Sequence, residues 1–101
     1  MKEYQVVISE EAGNDLRSLS NTIIYEYKSP LTAFRYMRDL KATIKTLSTL
    51  AESLPIQYSK SLSQYGESVR RINYKKMAVI YTVYDDLVYV HRIMPASACK
   101  E

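Results

Sequence analysis

The sequence predicts an α+β domain in the order strand, helix, helix and three antiparallel strands. Two stretches with helical spacing each begin on a serine cap. A run from Val69 to Ile93 is rich in β-branched and aromatic residues and is twice interrupted by turn-forming ones. The length of 101 residues leaves room for one core, so residues 1–101 are expected to form a single domain.

Tyr4 to Ile8 alternates loosely with period two and reads as the opening strand. Ser9 then offers an oxygen to free backbone donors, and Glu10 and Glu11 sit where the helix dipole favours negative charge. Ala12, Leu16, Leu19, Ile23 and Tyr27 recur at helical spacing, giving an amphipathic helix of about five turns. Ser29-Pro30 repeats the start signal, since proline loses nothing at the first helical position. From Pro30 to Ser53, Ala33, Tyr36, Met37, Leu40, Ile44, Leu47, Leu50, Ala51 and Leu54 form one apolar arc. Arg35, Arg38, Lys41 and Lys45 lie opposite. Such a cationic stripe is either a solvated face or a contact surface. Leu54-Pro55 ends the helix.

Residues 55–67 are polar and serine-rich without clear period, which predicts a surface loop. Beyond Gly66, the strands are expected at Ser68 to Asn73, Met77 to Tyr84 and Leu87 to Ile93. Asn73-Tyr74-Lys75-Lys76 and Asp85-Asp86 connect them, because Asn and Asp tolerate the left-handed backbone of tight turns. Met77 to Tyr84 is apolar on both parities, as in a central strand covered on both sides. Helices can cover one side; the other is expected to need a partner, so the isolated chain should be prone to aggregate.

Composition narrows the function classes. With 47% apolar and 25% charged residues the chain is neither disordered nor membrane-embedded in type. No apolar run approaches the ~20 residues that span a bilayer. The start, MKEYQVVISEE, lacks the apolar stretch of a secretory signal, so a cytoplasmic location without membrane contact is expected. Cys99, the lone cysteine, cannot form an internal disulfide. With His91 as the lone histidine no usual zinc set is available, so neither metal nor cofactor is expected. No small-molecule substrate is indicated.

The net charge of +3 is modest, but its distribution is uneven. Arg70, Arg71, Lys75 and Lys76 follow closely without an intervening acid. Tyr74, Tyr81, Tyr84 and Tyr89 supply rings, and together these groups are expected to concentrate at one end of the sheet. That combination suits phosphate neutralisation and base stacking; equally, it suits solvated turns and half-buried strand tyrosines. Alternation predicts that one of Arg70 and Arg71 points to the helices, paired with an acid, and the other to the open face. His91 has the pKa range of a general base but no carboxylate at fixed spacing to orient it. Arg92, its neighbour, points the opposite way along a regular strand, so one of the two is structural. Cys99 and Ser97 lack a base at recognisable spacing, and Asp85-Asp86 reads as a turn former.

The element order resembles the RelE/ParE toxin superfamily almost end to end. The words that carry the likeness are YQVVIS, Ala12-x-x-Asp15-Leu16, SPLTA from Ser29, VRRI from Val69 and VIYTVYDDLVYVHRI from Val79. The resemblance implies a two-helix hairpin packed on a small twisted antiparallel sheet, and the toxin half of a bacterial type II toxin–antitoxin pair. A cognate antitoxin would wrap over the working surface. It also implies that Arg71 is the outward arginine.

Two branches diverge within the superfamily. RelE-like members cut messenger RNA on the ribosome with basic and acid/base residues on the concave sheet face. Arg71 matches one of those positions, with Lys75, Lys76 and His91 as further candidates. The arginine that those nucleases place three residues before the next strand's tyrosine falls here at Ala78. Their C-terminal His, Tyr or Arg is replaced by a tail that supplies Lys100 at most. ParE-like members bind DNA gyrase and lack these groups, and the chain resembles them better in Arg70-Arg71-Ile72 and Arg92-Ile93. On the ParE-like reading, Arg70, Arg71, Lys75, Lys76 and Arg92 with the stripe Arg35, Arg38, Lys41 and Lys45 would form the target surface. The alternatives are a RelE-like ribosome-dependent endoribonuclease and an inactive binding module of the same fold.

Overall fold

The computed structural model describes residues 2–99. Strand β1 (Gln5–Ile8) leads into helix α1 (Glu10–Tyr27) and helix α2 (Pro30–Lys45). A short α3 (Leu47–Leu50), β2 (Arg70–Tyr74), β3 (Met77–Tyr84) and β4 (Leu87–Pro95) follow. The two-helix hairpin, the sheet and the order β-α-α-β-β-β agree with the expected α+β architecture. The strand order is β1-β4-β3-β2. β2, β3 and β4 pair antiparallel, whereas β1 joins β4 in parallel, so the sheet is mixed rather than wholly antiparallel. The long crossover through the helices makes that parallel return possible.

Ser9 caps α1 by accepting from Ala12 N–H at 3.0 Å, and Ser29 caps α2 by accepting from Thr32 N–H at 3.3 Å. Lys28 closes α1 in a left-handed conformation, its N–H donating to Ile24 O. The main core lies between hairpin and sheet, where Leu40, Leu47, Val79, Tyr81, Val88 and Val90 are fully buried. Full burial of one such aliphatic side chain stabilises by about 1.5–3 kcal/mol.

The expected single helix to Ser53 is interrupted at Thr46. Thr46 Oγ1 donates to Thr43 O at 2.6 Å, and Thr43 Oγ1 donates to Asp39 O at 3.0 Å. The Thr46 N–H is shared between the Ala42 and Thr43 carbonyls. Hydroxyls that compete for helical carbonyls tighten and bend the turn. A helical path still resumes, through α3 and a 3₁₀ turn at Ala51–Ser53.

Both hairpin turns contain two residues. Lys75, not Asn73, takes the left-handed position in the first with φ 52°, and Asp85 takes it in the second with φ 55°. Asn73 pairs with Ala78 and Tyr74 with Met77 within the ladder, so the predicted turn 73–76 shortens to Lys75-Lys76.

The second face of β3, expected to lie open for a partner, is covered by the chain's own residues. The segment at 55–67 folds back through an Ile56–Arg70 bridge and a 3₁₀ turn at Ser63–Tyr65. It drops Leu62 onto the sheet, where Leu62, Val69, Ala78, Ile80 and Cys99 form a second buried cluster flanked by Tyr65, Met94 and Ala96. Cys99 is therefore a packing residue rather than a passive tail. The tail is tied down by Ala96 N–H donating to Lys76 O at 2.8 Å.

Candidate binding surfaces

The two adjacent arginines of β2 diverge. Arg70 pairs with Tyr81 in the ladder and faces the helices. Its Nη1 donates to Leu54 O and, at 3.2 Å, to Glu52 O, while Tyr81 donates to Ala51 O at 2.6 Å. Together they satisfy the carbonyls left open where the helical path ends. Burial pushes the Tyr81 phenol up to about 12. Arg70 thus meets carbonyls rather than the expected carboxylate. The Glu52 carboxylate instead accepts from the Tyr4 hydroxyl and lies 3.5 Å from Lys2 Nζ. The Tyr4 hydrogen bond holds the Glu52 carboxyl below its usual range. Arg71 pairs with Ile80 and shares the face opposite the helices. Among the described residues no carboxylate pairs with it.

Lys75 and Lys76 occupy the β2–β3 turn, which rests against the helices. Lys75 Nζ lies 5.5 Å from the Tyr36 ring centroid and 5.6 Å from that of Tyr74. Those rings meet edge to face at 5.1 Å. Arg71 and Lys75 therefore serve different faces. Nor do the cations and all the tyrosines gather at one end: Tyr84 flanks the opposite turn and is 77% exposed, Tyr89 lies near it, and Tyr81 is buried. A β3 of eight residues separates the two turns.

His91 is the extra residue of a bulge in β4, since Tyr81 pairs with Val90 and Ile80 with Arg92. Its Nε2 lies 2.8 Å from Thr82 Oγ1, and its ring packs on Tyr89 at 4.8 Å and Tyr65 at 5.3 Å. Burial lowers its pKa. Arg92 points away to α1, where Asp15 holds it. Ala78 is fully buried beneath the second cluster. The C-terminal candidate Lys100 lies outside the described residues. Among the described residues no three His, Cys, Asp or Glu side chains converge on a metal-sized site.

On α2, Arg35, Arg38, Lys41 and Lys45 are all exposed. Arg38 is shared with Asp39 at 3.2 Å, an exposed pair worth little. The sequence reading missed what this stripe borders. A groove of about 500 Å³ runs between α1 and α2, lined by Gly13, Leu16, Ile24, Phe34 and Met37 with Arg17 and Lys41 at its margin. A second hollow of about 270 Å³ shares Leu16 and Lys41 and adds Val6, Ile8, Ile44 and Lys45. The signal lay in Leu31 and Phe34, which fall outside the apolar arc and are 56% and 64% exposed. Large apolar side chains placed off the core stripe mark a contact surface. No described helix is long and apolar enough to cross a membrane.

Comparison with known proteins agrees with this geometry. Residues 6–98 match the sequence profile of a family described as ParE toxin of type II toxin-antitoxin system, parDE. A solved chain of the "Chromosomal ParDE TA system from P. aeruginosa" superimposes with a TM-score of 0.76 at 16% identity. The match covers 92% of this chain and 96% of that one. At that identity the likeness is one of fold. Among curated proteins none matches.

Proposed function

From the premise that this chain belongs to the ParE toxin family, we propose that it arrests bacterial growth by binding a macromolecular target such as DNA gyrase, and that a cognate antitoxin neutralises it. One observation carries the choice of binding over RNA cleavage. The sheet face on which RelE-like nucleases place their catalytic groups is occupied here by Leu62, Val69, Ala78, Ile80 and Cys99. Transition-state stabilisation of a phosphate requires preorganised cations aimed at the charge that develops. Arg71 remains on that face as a single guanidinium, and the site of the second is a buried alanine. His91 is engaged with Thr82 and two tyrosines, and among the described residues no carboxylate is hydrogen-bonded to its ring.

The groove between α1 and α2 supports neutralisation by an antitoxin. Its apolar lining and its margin of Arg17 and Lys41, with Lys45 in the adjoining hollow, suit an amphipathic segment with acidic flanks. Induction of the chain alone in a bacterial host tests the reading. Arrested growth with an induced DNA-damage response and intact transcripts is expected, relieved by the antitoxin. Arrest with cleaved transcripts and no DNA-damage response would overturn it.

A further inference from the structure

The β2–β3 turn meets the closed end of the helix hairpin, beside the α1–α2 connection, around a cavity of about 290 Å³. Tyr27 and Tyr36 supply flat rings to its wall, Lys75 and Lys76 ammonium groups, and Thr22 and Glu26 polar atoms. Lys75 keeps a left-handed φ of 52°, a conformation that costs a non-glycine residue about 1–2 kcal/mol. That backbone holds its ammonium over Tyr36 and Tyr74 at the cavity wall. Lys28, next to Tyr27, is also left-handed, with φ 51°. Tyr27 itself is 63% exposed and offers its ring to a ligand.

From this juxtaposition of rings and ammonium groups we propose a site for single-stranded nucleic acid, with an unstacked base against Tyr27 and Tyr36 and its flanking phosphates on Lys75 and Lys76. The proposal rests on the reading of a toxin with a macromolecular target and deepens it by naming a strand contact. A base that has left its stack can enter a walled cavity between two elements. A duplex keeps its bases inside and would meet the lysines alone. Glu26 opposes phosphate, so its place in the wall is better explained by the base. Its carboxylate can accept from the exocyclic amine of cytosine or adenine, which thymine and uracil lack.

Fluorescence polarisation of the purified full chain with labelled single-stranded oligo-deoxycytidine and oligo-deoxythymidine tests this. Binding should weaken with salt and favour deoxycytidine. Lys75→Gln with Lys76→Gln should lower the log–log salt slope by about 1.4, at about 0.7 per lost phosphate contact. Tyr27→Ala should weaken binding about tenfold. Glu26→Ala, which removes the acceptor, should erase the base preference. The proposal fails if the folded chain binds neither oligonucleotide. It also fails if binding ignores these changes and vanishes when Arg35, Arg38, Lys41 and Lys45 are all replaced by Gln. Growth arrest by a chain that binds no oligonucleotide overturns this site and leaves the toxin reading intact. Oligonucleotide binding by a chain that arrests nothing does the reverse.

Discussion

Asp15 on α1 holds Arg92 on β4 through both carboxylate oxygens, at 2.7 Å to Nε and 3.0 Å to Nη2. Its Oδ2 also accepts the Ile93 N–H at 2.9 Å. β1 ends at Ile8, which leaves the outer edge of β4 unpaired beyond Val90. The start of α1 takes over that edge: Ser9 N–H donates to Val90 O, Ser9 Oγ donates to His91 O, and Asp15 receives Ile93. Two short words of the sequence, Ala12-x-x-Asp15-Leu16 and His91-Arg92-Ile93, are thus two sides of one contact. Arg92 belongs to the scaffold, and the Asp15 hydrogen bond raises its pKa still further.

Replacement of Asp15 by Ala should therefore cost about 2–3 kcal/mol, because a bidentate charge-assisted pair and a strand N–H lose their partner together. The urea midpoint measures it. A loss below about 0.5 kcal/mol, typical of exposed ion pairs, would show that the contact is only superficial.

Ala78→Arg should abolish folding rather than restore a nuclease. Position 78 is fully buried, and an unpaired buried charge costs several kcal/mol against a total stability of about 5–15 kcal/mol. Circular dichroism should show loss of the cooperative transition. A folded variant that cleaves RNA would contradict the packing described here.

The tyrosine at the centre of β3 sets an alkaline limit. The Tyr81 pKa is raised from 10.0 to about 12 in the fold, so stability is fully present below pH 10 and declines as pH rises from there toward 12. Tyr81→Phe should cost about 1 kcal/mol at neutral pH through the lost bond to Ala51 O and should flatten that alkaline decline. An unchanged alkaline slope in the variant would assign the decline to other groups.

At acid pH two windows separate. Burial lowers the His91 pKa, so the unfolded chain takes up this proton first, and stability present above about pH 6.5 falls as pH drops through the lowered folded value. Glu52, lowered by Tyr4, loses its contribution only further down, below 4.5. Melting temperatures of the wild type and His91→Gln should diverge in slope just below pH 6.5. Parallel profiles throughout would exclude a titrating His91.

Much of this fold is legible because caps and periods are local. Ser9, Ser29 and Pro30 mark the helix starts, and the apolar arc through Leu40 and Leu47 marks the core face. The parallel seat of β1 is not legible, since nothing in Gln5-Val6-Val7-Ile8 states which strand lies beside it. Leu62 was hidden because one apolar residue in a serine-rich loop has no period. The divergence of Arg70 and Arg71 follows from strand alternation, but the carbonyl partners of Arg70 depend on where a helix 16 residues upstream happens to end. The groove beside the cationic stripe needed Phe34 to be recognised as off the core face.

The proposed reading of a binding toxin, whose sheet face opposite the helices is packed with its own chain, is tested most directly by incubating the purified chain with ribosomes programmed with a defined messenger. The messenger should remain uncut even with the chain in excess over ribosomes. Cleavage at defined codon positions that disappears in Arg71→Ala would contradict it.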